Sequence, residues 1–275
     1  MHILRRRLGL VAAGIDVATL SINYTGTHTD YGVVQMNDGD YRLLAFTGSG
    51  TLTIDKPVNC EVCVVGGGAN GSTYIDGGNG GAGAYMKNQV IEAFEGGAVV
   101  VGAAQGASSI GGVSVNTVSG KNGGTGAGAA KYNYLNPGTG DGLSKYPFGD
   151  ATYQLWAGKP HCGAGGGGGD GTQDEDGGWD KYHGGAGGTN GGNGYQGTKE
   201  SGGPYGFYNG QGGLGGAYGG GRGGDMATST QIAAGANATY YGSGGGGNGN
   251  SGYVSPPPAS SGYQGIVYMR IPLDQ

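Results

Sequence analysis

Between residues 163 and 252, 38 of 90 positions are glycine, gathered into runs such as 163–169 (GAGGGGG), 184–188 (GGAGG), 212–216 (GGLGG), 219–224 (GGGRGG) and 242–249 (GSGGGGNG). Runs of this kind cannot hold an α-helix and bury no side chain, so order requires their backbone N–H and C=O groups to find partners elsewhere. A collagen helix is excluded, because it needs glycine at every third position and abundant proline, whereas the runs break that period and the chain has only 9 prolines. The ordered alternative is a bundle of extended left-handed helices with three residues per turn, which carry no internal hydrogen bonds. Lacking Cβ atoms, such helices can approach closely and bond to one another, with weak Cα–H···O contacts adding to the packing. Entropy opposes this, since glycine loses more freedom on folding than any other residue. Disorder of the tract is the competing expectation.

An apolar core has to come from the rest of the chain, and it is unevenly supplied. Of 39 Ile, Leu and Val residues, 29 lie in 1–118, 6 in 119–263 and 4 in 264–275, while 63 of the 72 glycines lie in 66–252. Adding 4 Phe gives 43 strong core formers, below the roughly 20 per cent under which chains tend toward disorder. Only 12% of residues are charged, however, and the net charge is −5, so self-repulsion does not hold the chain open. Strand signals at 20–24, 32–36, 41–46, 51–55, 58–65, 84–94, 98–103 and 113–118 are short, rich in Val, Ile, Thr and Tyr, and bounded by turn residues. No long amphipathic helix is visible. The predicted fold class is all-β: an attachment segment over 1–40, a β-sandwich from 41–118 closed by 264–275, and a glycine-rich bundle with long loops over 119–263. The apolar return at 265–272 (GIVYMRIP) should pair back into the first sheet, because left as an open edge it would aggregate.

Residues 1–14 (MHILRRRLGLVAAG) combine a basic start with a short apolar run, the outline of a secretory signal. Gly9 breaks that run and Asp16 ends it, so a docking segment built on Arg5, Arg6 and Arg7 is the other reading. No stretch approaches the roughly 18 apolar residues of a membrane span. The acidic balance, pI about 5.2, argues against nucleic acid, which demands clustered Lys and Arg.

Catalytic patterns are absent: no GxSxG, HExxH or Walker A motif occurs, and GxGxxG matches arise by chance at this glycine content. His2, His28, His161 and His183 are scattered, and the carboxylates near 170–180 read as a solvated acidic loop. The chain is therefore expected to be no enzyme and to need no metal or cofactor. Two GGxGxD matches ending at Asp170 and Asp225 lie too far apart for tandem calcium-binding repeats. Cys60 and Cys63 have CxxC spacing, but on a strand they point to opposite faces. With Cys162 they read as buried thiols, and the odd count suggests synthesis in a reducing cytoplasm.

Between the glycine runs the chain is rich in aromatics. Residues 131–161 hold Tyr132, Tyr134, Tyr146, Phe148, Tyr153 and Trp156; 172–183 hold Trp179 and Tyr182 among carboxylates; 195–211 hold Tyr195, Tyr205, Phe207 and Tyr208; and Tyr240 and Tyr241 follow. Such rings give large, stiff contact area at low entropic cost, as recognition loops require. They also serve to cap a bundle short of aliphatic residues, and about half are expected to fold inward in that way.

The motifs 46–54 (FTGSGTLTI) and 63–68 (CVVGGG), the glycine runs, and the closing 265–271 (GIVYMRI) together resemble the glycine-rich domain found in phage tail proteins and some bacterial surface proteins, over about residues 41–271. The run-and-loop body is similar to the receptor-recognition tips of T-even-like phage tail fibres, in which polyglycine II helices pack as a bundle and distal loops touch the host. The resemblance implies a virion tail adhesin binding a bacterial surface receptor, either polysaccharide or surface protein. Its N-terminal segment would attach to other tail proteins, and a homotrimer is compatible with it. Trp156, Trp179, Tyr182, Tyr205, Phe207 and Tyr208 are then the preferred receptor contacts. The alternative is a structural glycine-rich surface or filament-forming protein without receptor binding. An ice-binding role, known for other polyglycine II proteins, fits poorly with irregular aromatic loops.

Overall fold

The computed structural model describes residues 16–73, 80–81, 83–115, 146–162, 196–200, 207–210, 219–224, 226–228, 231–232, 234–248, 257–258 and 260–274. Among them the chain is all-β, the helical pieces being two three-residue 3-10 turns, Val17–Thr19 and Pro147–Gly149. The strands are β1 (Ile22–Tyr24), β2 (His28–Met36), β3 (Gly39–Phe46), β4 (Gly50–Val65), β5 (Met86–Val100), β6 (Ser108–Ile110), β7 (Val113–Val115), β8 (Gln196–Glu200), β9 (Phe207–Gly210), β10 (Met226–Thr228), β11 (Gln231–Ile232) and β12 (Ile266–Pro272). β8 pairs with β9 and β10 with β11; the others form one antiparallel sheet in the order β2-β3-β12-β4-β5-β6-β7, with β1 added on β4.

The C-terminal return does pair back, and it becomes a central strand. Val267 lies opposite Phe46 of β3 and Val64 of β4, so both edges of β12 are hydrogen-bonded. Successive side chains of a strand point to opposite faces, and here both faces are covered. Leu44, Phe46, Val62, Val64, Val267 and Met269 enter one core, and Leu43, Ala45, Cys63, Val65, Ile266 and Tyr268 enter another. That double burial is why 43–46, 62–65 and 266–269 read as unbroken apolar runs. Each fully buried Leu, Val, Ile, Met or Phe contributes about 1.5–3 kcal/mol.

The long pair β4 and β5 loses register between Thr53 and Val58 and again before Cys60. At the matching stretch of β5, Ala93, Gly96 and Gly97 have positive φ. Leu52, Ile54, Val99, Ile110 and Val113, from the far side of this bend, join Val267 and Met269 in the first core. Its walls thus belong to one bent, continuous sheet.

Where the sequence suggests an attachment segment through residue 40, the structure puts much of it in the sheet. Val17, Leu20 and Tyr24 are buried in the first core, Arg42 Nη1 donates to the Leu20 carbonyl at 2.6 Å, and β2 pairs with β3 as far as Met36 opposite Gly39. A boundary at 40 would cut this hairpin. Residues 1–15 lie outside the described residues.

Arg270 of β12 is 5% exposed. Its guanidinium bonds both oxygens of Asp38 at 2.8 and 2.9 Å and Glu61 Oε2 at 2.6 and 2.9 Å, and it lies 4.3 Å from the centre of the Tyr41 ring and 4.6 Å from that of Phe148. One cation thereby ties the last strand to the β2–β3 turn, to β4 and to the second 3-10 turn.

Beyond the sheet, segments 66–72, 219–224, 234–239 and 260–264, together with Gly81 and Ala84, surround the run 242–248. Their bonds recur every third residue. Gly221 and Gly224 donate to the carbonyls of Gly244 and Gly247 (2.9 and 2.8 Å), Gly245 and Asn248 to Ala69 and Ser72 (2.9 and 3.3 Å), and Gly81 and Ala84 to Gly245 and Gly242 (2.6 and 2.7 Å). Gly68 and Gly71 donate to Tyr263 and Ser260 (both 2.9 Å), and Ala236 and Thr239 to Arg222 and Gly219 (2.7 and 2.8 Å). A β ladder would repeat at two residues, and none of these segments belongs to a strand. Gly68, Gly71 and Gly81, which fall within the stretch 41–118 that the sequence assigns to the sandwich, are members of the same network.

Candidate binding surface

The second core is closed by the segment 146–162. Pro147 opens its 3-10 turn, Phe148 and Gly149 follow with φ of 56° and 74°, and the Trp156 and Ala157 N–H groups donate to the Tyr153 carbonyl at 3.1 and 2.9 Å. Trp156 is 0% exposed. Its ring lies 4.8 Å from Tyr153 and 5.3 Å from Tyr268, both edge-on, and its Nε1–H donates to the Asp150 carbonyl. The expected receptor contact at Trp156 is therefore corrected. With few aliphatic residues in this part of the chain, the indole fills the core, its one polar atom is satisfied, and no ring surface is left for a receptor.

Of the other predicted contacts, Phe207 and Tyr208 lie on β9, opposite Glu200 and Lys199 of β8. Trp179, Tyr182 and Tyr205, like Asp170 and Asp225, lie outside the described residues. No group of three His, Cys, Asp or Glu residues that could hold a metal occurs among the described residues. Cys60 and Cys63 do fall on opposite faces, one in each core. The three cysteines are buried and form no disulfide; burial pushes the Cys60 thiol up to about 12 and raises that of Cys63 as well, so neither is a ready nucleophile or ligand.

A cleft of about 720 Å3 opens beside β2, bordered by Tyr31, Val33, Gln35 and Asn37 on one side and by Asp150, Thr152, Tyr153 and Gln154 on the other. Asp150 is its hub. Its Oδ1 accepts from Asn37 Nδ2 and Thr152 N, both at 2.8 Å, and from Tyr153 N at 3.1 Å. Thr152 Oγ1 lies 2.8 Å from that oxygen and 3.0 Å from Asn37 Oδ1, with one hydrogen to give. Among the described residues the other carboxylate oxygen has only the long 3.4 Å bond from Asn37 N. Burial alone would raise the Asp150 pKa, but the bonds from Thr152, Asn37 and Tyr153 outweigh it and hold the group below the usual carboxylate range. The sequence reading misses this site. Residues 37–39 (NDG) signal a hairpin turn, and nothing local links Asn37 to a partner 113 positions away.

His161 is fully buried. Its Nε2 lies 3.0 Å from the Tyr268 hydroxyl, while Nδ1 has no partner among the described residues. Burial lowers its pKa from 6.5 to about 3. The unfolded chain therefore binds this proton more readily than the folded one. Stability from the neutral ring is complete above about pH 6.5 and declines as pH falls toward 3, by at most about 1.4 kcal/mol per pH unit. Urea denaturation at pH 7, 6 and 5 should show this decline, and His161→Phe should flatten it. An equal slope in the variant would assign the effect to other groups.

Comparison with family models, with curated proteins and with solved structures returned no match to this chain.

Proposed function

We propose that the chain is a phage tail-fibre or tail-tip adhesin that binds a bacterial surface receptor. In this reading its bent sheet acts as a sandwich-like base, its glycine segments pack as polyglycine II helices, and residues 1–14 attach to other tail proteins. The observation that carries the reading is the three-residue period of bonds around 242–248, the repeat of an extended helix with three residues per turn. A lattice of that kind is stiff, yet its glycines have no side chains with which to discriminate. Recognition then falls to the segments between the runs.

Replacing the aromatics group by group, Trp179 with Tyr182 and then Tyr205 with Phe207 and Tyr208, should reduce adsorption to host cells. Loss of a binding hot spot costs about 2 kcal/mol or more, roughly thirtyfold in affinity. Unchanged adsorption in both sets, with melting temperatures preserved, would place recognition elsewhere on the molecule. One feature favours the second reading, a structural surface or filament protein: Ala234, Ala236, Asn237 and Thr239 form an exposed flank of the lattice, on which further extended chains can pack. Self-assembly without cell binding would decide for it.

A further inference from the structure

The cleft beside β2 has the volume of a small-ligand site, within the usual range of about 300–1,000 Å3. Among the described residues its polar side chains are the amides of Gln35, Asn37 and Gln154, the hydroxyls of Tyr31, Thr152 and Tyr153, and one carboxylate; no described Lys, Arg or His borders it. With a carboxylate in its lining and no cation among the described residues, it disfavours a phosphate or another anion, whose recognition relies on charge-assisted donors. Its polar groups are too many for a lipid chain.

The geometry is fixed before any ligand arrives. Asp150, a lining residue of the cleft, is 7% exposed, and its bonds hold Asn37 and Thr152 in place while its second oxygen has acceptor capacity left by the described residues. Preorganisation of this kind lowers the entropic cost of binding. Tyr31, 39% exposed, presents a ring at the rim. A sugar needs this pairing: its hydroxyls both donate and accept, matching amides and a carboxylate, while its C–H face packs on an aromatic ring.

The competing occupant is an extended peptide adding a strand to β2, which ends the sheet order. Against it, the edge is broken. Register shifts between Asp30 and Val33, Gly32 has φ of 66°, and the Asp30 carboxylate accepts the Gly32 N–H at 2.8 Å. The regular edge is split into two short stretches, 28–30 and 33–36, and bulges of this type protect sheets from strand addition.

We infer that this cleft binds a neutral glycan of the bacterial surface, with Tyr31 stacking on a sugar face and Gln35, Asn37, Gln154 and Asp150 bonding its hydroxyls. The inference rests on the receptor-binding reading, narrows its receptor class, and adds a contact on β2 to those expected between the glycine runs. The full chain is applied to an array of neutral hexose and N-acetylhexosamine oligosaccharides, and the best of them is titrated. Binding should fall about thirtyfold with Tyr31→Ala and several-fold with Gln154→Ala. It should survive Tyr31→Phe and Val100→Thr, the latter changing an exposed residue on β5. Thermal melting checks that each variant folds.

Periodate treatment of host cells should abolish adsorption of the parent chain. Adsorption that resists periodate but is lost on protease treatment identifies a protein receptor; that overturns the glycan cleft and leaves the adhesin reading standing. Glycan binding indifferent to Tyr31→Ala and Gln154→Ala, or no binding anywhere on the array, also overturns the cleft. Glycan binding lost in Tyr31→Ala by a chain that adsorbs to no cell supports the cleft and sinks the adhesin reading.

Discussion

Gly246→Val is expected to destabilise the protein by about 3 kcal/mol, the upper end for inserting atoms into a packed interior, which is roughly 6–12 °C in melting temperature for a chain of this size. Gly246 sits near the middle of the lattice. Its N–H donates to the Ala236 carbonyl at 2.9 Å, its carbonyl accepts from the Ser260 hydroxyl, and an added Cβ would collide with the Arg222 carbonyl. The obstructing atoms are backbone, not the far end of a flexible side chain. Relief would require separating segments that are themselves hydrogen-bonded, so the collision and the bonds are lost together. Gly71 and Gly221 face the same obstruction, from the carbonyls of Gly246 and Ala236. Ala236 supplies the contrast. It belongs to the same network but is exposed, so Ala236→Ser should change stability by less than about 0.5 kcal/mol. Equal tolerance at positions 246 and 236, read by thermal melting and urea denaturation, would mean the glycine segments do not pack closely.

Arg270→Met should cost about 3–5 kcal/mol, the range for removing one partner of a buried ion pair. Asp38 keeps half its side chain in water, but Glu61 is largely covered, its side chain 24% exposed. The penalty therefore comes chiefly from leaving the Glu61 carboxylate without its cation. Adding Glu61→Gln to the Met variant should recover part of the loss, and equilibrium denaturation of the single and double variants measures the coupling. Arg270→Lys keeps the charge but not the fork that engages two carboxylates at once, and should fall between parent and Met. If Arg270→Met matches the parent, packing rather than charge holds the last strand.

How far the fold was legible differs from element to element, and particular residues show why. The return of 265–272 to the sheet is readable because four consecutive apolar residues at 266–269 demand cover on both faces, which only a central strand provides. The strand signals at 84–94 and 98–103 read as two, whereas β5 runs without a break from Met86 to Val100; Gly96 and Gly97 look like a turn in sequence but serve a bend. Trp156 was legible as important and not as buried. A tryptophan in a polar, glycine-rich stretch has the same local chemistry whether it meets a receptor or plugs a core, and only the arrival of Tyr153 and Tyr268 around it decides.

The sequence by itself determined that the chain is all-β and that its glycine tracts, where ordered, must bond backbone to backbone. Both follow from local properties: side-chain period, turn residues and the absence of Cβ. Tertiary structure alone decided which segments surround 242–248, that residues 22–24 and 28–36 belong to the sheet, and that Asn37 meets Asp150 across 113 positions to frame a cleft. Glycine segments carry no side chains to encode their neighbours, so their pairing is settled by where the sheet delivers each end of the chain. The cleft exists because one turn of that chain comes to rest against a sheet edge, a long-range contact to which neither stretch commits by composition.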